Sequence, residues 1–163
     1  MSYSEPEMHK TKKPNLHYTE SVLAGVGAFL GLSLIGLLAE KANMLMIIAP
    51  FGATAVLLFS APHSPFSRPL NIFGGYLIST LIGLCVLEYT TGGWLPIGIG
   101  LGITIMMMHL LKVVHPPAGA NFLIVTQGHL SLHLIWPLFI GLIALILVGI
   151  SIDKLQKKIN VSE

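Results

Sequence analysis

The sequence predicts an all-α polytopic membrane protein built from two repeats, each a span, a Pro-x-Gly-Ala broken segment and a second span. Three observations predict it. Of 163 residues, 53% are hydrophobic and 10% charged, with a mean hydropathy of +0.79, where a soluble domain carries about a quarter charged residues. Four apolar stretches are long enough to span. Two more are apolar but interrupted by proline and glycine. Lipid must therefore be the solvent for much of the surface.

The spans are Ser21–Ala39, Ile72–Glu88, Trp94–Leu111 and His133–Ile152, close to the roughly 20 residues at 1.5 Å each that a bilayer requires. The interrupted stretches are Asn43–Ala61, with Pro50 and Gly52, and Val113–Gly128, with Pro116, Pro117 and Gly119. Proline removes a backbone donor and clashes with the preceding turn, so each is expected to hold a half-helix beginning at its proline. Met44–Ala49 and Val113–His115 are then extended. Such backbone survives at membrane depth only when packed in protein or lining a cavity.

An offset of 67 superimposes Pro50-Phe51-Gly52-Ala53-Thr54 on Pro117-Ala118-Gly119-Ala120-Asn121, and also pairs Gly25, Gly31, Ser64 and Gly74 with Gly92, Gly98, Ser131 and Gly141. The domain plan is a polar cytoplasmic tail over 1–20, a membrane domain over 21–152 (repeats about 21–88 and 89–152) and a basic tail over 153–163. If the broken segments cross, there are six passes and the repeats are inverted. If they re-enter, there are four. Six passes place Arg68, Lys112 and the Lys154, Lys157 and Lys158 tail with the basic N-terminus, whereas four place Lys41, Arg68 and Lys112 outside. The positive-inside rule favours six, with both termini cytoplasmic.

The chemistry is expected where helices begin inside the membrane. His115-Pro116-Pro117-Ala118-Gly119-Ala120-Asn121 starts one such helix and Pro50–Thr54 the other. Orphan amides and the helix dipole at a helix start favour an anion. In an inverted repeat, two such starts converge near the midplane. Thr54 and Asn121 add side-chain donors, and His115 adds a donor or a pH-sensitive charge, since histidine titrates near pH 6.5. The competing reading is a pair of tight turns packed by small residues. Ser64, Arg68 and Asn71 form a candidate mouth, set against a plain cytoplasmic loop, and Lys112 and His109 are further pathway candidates.

His109 follows Met106-Met107-Met108, a combination compatible with copper. Three consecutive methionines, however, point in three directions around a helix, so no metal site is expected. A loop is expected between His129 and His133, so joint ligation from one helix is not. The single cysteine, Cys85, excludes an intrachain disulfide and reads as a small buried hydrophobe. Motifs for nucleotide binding, zinc hydrolysis and serine hydrolysis are absent, and Asp153 is the only aspartate. No enzyme, cofactor or nucleic-acid partner is expected; the net charge is only +2.

These residues resemble the HPP family of small integral membrane proteins, named for a motif matching His115-Pro116-Pro117. The resemblance runs from about Ser21 to Ile152 and includes Pro50–Phe59, Ser64–Asn71 with Gly74-Gly75, and His115–Asn121. Family members commonly read Gln-Pro-Arg-Asn where this chain has Arg68-Pro69-Leu70-Asn71, so the basic residue is displaced. Some relatives carry fused regulatory CBS domains. Plant plastid and cyanobacterial relatives are described as nitrite transporters. The resemblance thus implies a transporter or channel for a small inorganic anion, nitrite first. The alternative is a non-transporting subunit or sensor acting through a partner, and, more remotely, a metal-binding membrane protein. So small a chain is expected to work as a homo-oligomer in a bacterial inner membrane.

Overall fold

A computed structural model describes residues 14–41, 48–128 and 135–161, all helix, turn or irregular backbone. Six α-helices follow in order among them: α1 Pro14–Lys41, α2 Ile48–Ser60, α3 Pro69–Tyr89, α4 Trp94–Leu110, α5 Pro117–Thr126 and α6 Ile135–Val161, with a 3-10 turn at Pro65–Ser67 before α3. Three are long and apolar enough to cross a membrane: Tyr18–Lys41, Pro69–Tyr89 and Ile135–Ile159. The expected span at Trp94 is a 17-residue helix, roughly 25 Å long, slightly short of a hydrocarbon core of about 30 Å. The broken segments give helices of 13 and 10 residues.

Helix ends follow local chemistry. Pro69 and Pro117 sit at first helical positions, where a missing N–H costs nothing. α2 departs from expectation: it starts at Ile48, so Pro50 falls inside its first turn and Ala49 is helical rather than extended. Residues 44–47, His129, Ser131, His133 and the first thirteen residues lie outside the described residues. α1 begins within the expected N-terminal tail, and α6 runs through most of the basic C-terminal one. Cys85 faces outward, contrary to the buried role expected of it.

α4 ends in a Schellman arrangement. Val113 N–H donates to Met108 O (2.9 Å) and Lys112 N–H to His109 O (3.1 Å). The left-handed residue of this cap is Lys112, at φ 56°, the one non-glycine with positive φ among the described residues. A Cβ there opposes the following carbonyl. Lys112→Gly is therefore expected to stabilise the protein by about 1 kcal/mol, read as a higher midpoint of thermal unfolding in detergent.

The packing sets the helix directions. α1 and α6 run antiparallel, with Gly27 against Ile152, Gly31 against Leu145 and Ile35 against Gly141. Phe59 of α2 covers Gly27 and Gly31, while Phe51 and Leu58 lie on Gly141 and Gly149, so α2 opposes α1 and parallels α6. In the other half, Gly75 and Gly83 of α3 receive Ala118 and Val125 of the parallel α5. α4 opposes α3, with Gly100 against Val86 and Met108 against Gly75. The principal helix pairs are α3 with α5, α1 with α6, α1 with α2, α3 with α4, α2 with α5, α2 with α6, α4 with α5 and α3 with α6. Exchanging α1, α2 and α3 for α4, α5 and α6 maps this set onto itself.

The apolar core joins Ile35, Phe51, Phe59, Ile72, Tyr76, Val125, Leu138, Leu142 and Leu145. Many large apolar side chains face outward instead, among them Phe29, Leu37, Leu81, Ile99 and Leu147. Tyr89, Trp94 and Trp136 are exposed at the end of α3 and the starts of α4 and α6. Those three ends lie on one side of the bundle, the placement of an interfacial aromatic belt.

Candidate functional site

The inward face of α3 is polar and small where a soluble helix would be apolar. Asn71, Gly75, Tyr76, Ser79, Thr80 and Gly83 recur at helical spacing and are buried. The glycines admit α5 closely. A Cβ built on Gly75 would stand 2.8 Å from the His115 Cβ and 3.2 Å from the Ala118 Cβ. This approach, with no residue between, brings the first turn of α5 against the hydroxyls of α3.

Two connected clusters result. In the first, Thr54 Oγ1 lies 3.0 Å from Tyr76 Oη, 3.0 Å from His115 Nε2 and 3.0 Å from Pro50 O. His115 Nδ1 lies 2.8 Å from Phe66 O. Carbonyls only accept, so Nδ1 carries a proton, and the single Thr54 proton is shared between two acceptors, Pro50 O and, in the neutral ring, His115 Nε2. With that proton committed, Tyr76 donates to Thr54. His115 and Thr54 are fully buried, and the Tyr76 ring packs on His115 and Phe51 with centroids 5.7 and 5.8 Å apart.

One turn further along α3, Asn121 Nδ2 donates to Ser79 Oγ and Thr80 Oγ1, both at 2.9 Å. Ser79 passes its own proton to Tyr76 O at 3.0 Å. Asn121 is 1% exposed, and its Oδ1 has no hydrogen-bond partner. Near the base of the seam, Asn71 Nδ2 donates to Val114 O (3.0 Å), and Ser67 Oγ meets Leu57 O and Ala61 O at 3.0 and 2.7 Å. These bonds tie the irregular 113–115 backbone and the 3-10 turn to the helices.

Of the residues expected in the site, Thr54, His115 and Asn121 meet the inward face of α3, and Pro50 and Pro117 are buried beside them. Gly52, Gly119 and Ala120 are half-buried, while Ala53 and Pro116 are exposed. Arg68, Lys112 and His109 are exposed and make no part of either cluster. Met106, Met107 and Met108 diverge, Met108 into the core and Met106 outward. No group of three or more His, Cys, Asp and Glu gathers among the described residues. Tyr76, Ser79 and Thr80 lie outside the residues expected from the sequence. Their spacing at i, i+3 and i+4 beside Gly75 and Gly83 was the available signal.

The amide nest expected at α5 takes a different form. Pro116 and Pro117 have no N–H, and Ala118 and Gly119 donate to His115 O and Pro116 O, each at 3.0 Å. The four N–H positions that a helix start normally leaves open are therefore absent or occupied. Polar side chains, rather than backbone amides, carry the hydrogen-bonding capacity here. A cavity of about 650 Å³ opens between the first half of α1 and the second half of α2, lined by Glu20, Ala24, Ala55, Phe59, His63 and Ser64 among others. It contains Ser64 of the expected mouth and reaches the residue next to Thr54.

A family model for the HPP transmembrane region matches residues 13–161. Two transmembrane proteins of Dictyostelium discoideum are similar to the chain. One is 30% identical over 128 residues, covering 73% of this chain and 45% of that protein. The other is 31% identical over 107 residues, covering 61% and 34%. The chain thus spans less than half the length of these curated relatives. No solved structure matches it.

Proposed function

The chain belongs to the HPP transmembrane family, and from that premise we propose that it passes a small inorganic oxyanion, nitrite first, across the bilayer. The observation that carries this reading is the polar seam of Thr54, Tyr76, His115, Ser79, Thr80 and Asn121, buried where α2, α3 and α5 meet. Polar side chains inside a membrane domain are costly, and where they are kept they mark a path or a site. Among the described residues the buried polar groups include no Asp, Glu, Lys or Arg. The path therefore discriminates by hydrogen bonds rather than by fixed charge. The cavity beside Ser64 is its vestibule, and further copies of the chain complete the assembly.

The same reading includes six passes and inverted repeats. The exchange of helix pairs between halves and the alternation of helix directions support it. Six passes put Lys41 and Arg68 on opposite faces. Single cysteines at these positions in a Cys85→Ser background are expected to react with an impermeant maleimide from opposite sides of oriented vesicles. Labelling of both from one side would rule the arrangement out.

Purified protein in liposomes is expected to pass nitrite above protein-free vesicles. His115→Ala and Asn121→Ala should each weaken that flux about tenfold, the equivalent of one hydrogen bond to a buried group. Correct insertion without nitrite flux under any gradient would instead favour the rival, a membrane subunit or sensor acting through a partner.

A further inference from the structure

The open hydrogen-bonding position in the seam is an acceptor. Ser79 gives its hydroxyl proton to Tyr76 O and accepts from Asn121 Nδ2, 2.9 Å away. Oδ1 is left as the group without a partner, on a residue 1% exposed. Buried polar atoms are almost always paired, so an orphan of this kind calls for an explanation. Several neighbouring donors are already used. Asn121 Nδ2 serves Ser79 and Thr80, the His115 Nδ1 proton serves Phe66 O, and the first amides of α5 are absent or bonded.

An anion would meet a carbonyl oxygen at this position, with no cationic Lys or Arg among the buried described residues to offset it. A cation would find no buried carboxylate among the described residues to offset its charge. A neutral molecule that donates one hydrogen bond fits both conditions. We infer that Asn121 Oδ1 receives the O–H of an undissociated small oxyacid, so that the species crossing the seam is the protonated acid rather than its anion. Nitrite plus a proton enters as nitrous acid, H–O–N=O, and releases that proton on the far side. No other bond changes. The inference rests on the transport reading above and specifies its substrate form.

The test uses the full chain in phosphatidylcholine vesicles with sodium nitrite outside, a pH dye inside, and the membrane potential set with potassium and valinomycin. Protein-free vesicles provide the background to be subtracted. At constant total nitrite, protein-dependent uptake is expected to rise about tenfold for each unit the outside pH is lowered. It should deliver one proton per nitrite and ignore the potential. Asn121→Leu, checked for a monodisperse fold, should lose this component. Uptake that is steady with pH and follows the potential would overturn the inference while leaving transport intact. A pH-dependent component that survives in Asn121→Leu would overturn the role of Oδ1. Raised osmotic water permeability without nitrite flux would assign the position to water and overturn the acid as its ligand. Absence of any protein-dependent nitrite flux would remove the transport reading itself, and this inference with it.

Discussion

Thr54→Val is expected to destabilise the protein far more than the loss of one hydroxyl suggests. Valine keeps the shape and β-branching of threonine, so packing hardly changes. What changes is that Tyr76 Oη and His115 Nε2, each 3.0 Å from Thr54 Oγ1, lose their partner inside a fully buried cluster. An orphaned buried polar group costs about 1–3 kcal/mol, and here two are orphaned together. Tyr76→Phe is the informative control. It removes a polar group along with its hydrogen bond, leaves Thr54 and His115 paired, and should cost only about 1 kcal/mol. Reversible unfolding in mixed micelles, followed by circular dichroism, measures both. Equal losses for the two variants would mean that the cluster is not coupled as described.

Gly75→Ala is expected to be among the most damaging single methyl groups. Its Cβ would stand 2.8 Å from the His115 Cβ and 3.2 Å from the Ala118 Cβ, atoms fixed to the backbone of α5 and the segment before it. Neither can swing aside, so α3 and α5 must move apart. Overpacking of this kind costs about 1–3 kcal/mol, and the displacement would also stretch the Asn121 bonds to Ser79 and Thr80. Gly98 provides the opposite sign. It is helical, with nothing within 4 Å of its virtual Cβ, so Gly98→Ala should be neutral or stabilising by up to about 1 kcal/mol. The same unfolding assay compares them, and nitrite flux should fall only for Gly75→Ala.

The helices were legible in the sequence because length and absence of charge define a membrane helix almost regardless of partners. The broken segments were legible because proline has one geometric consequence wherever it occurs. His115, Thr54 and Asn121 were found through the Pro-x-Gly-Ala motif, and they do meet the polar face of α3. Tyr76, Ser79 and Thr80 were not legible in the same way, because within an apolar run such residues read as tolerated passengers. In lipid the pattern is reversed: the small and polar face of α3 is its inner one. The amide nest failed for a reason already present in the residues. Two consecutive prolines set up a helix start and remove two of the donors an anion would use.

The exchange of partners between the halves also bears on how the protein is made. α3 packs chiefly on α5, and α2 on α1, α5 and α6. Translation proceeds at about 5–20 residues per second, so α3 is complete for roughly a few seconds before α5 exists. During that interval Tyr76, Ser79 and Thr80 have none of their later partners from the second half. The polar face of α3 is therefore completed only when the His115–Asn121 segment arrives, so the first half depends on the second for its final packing.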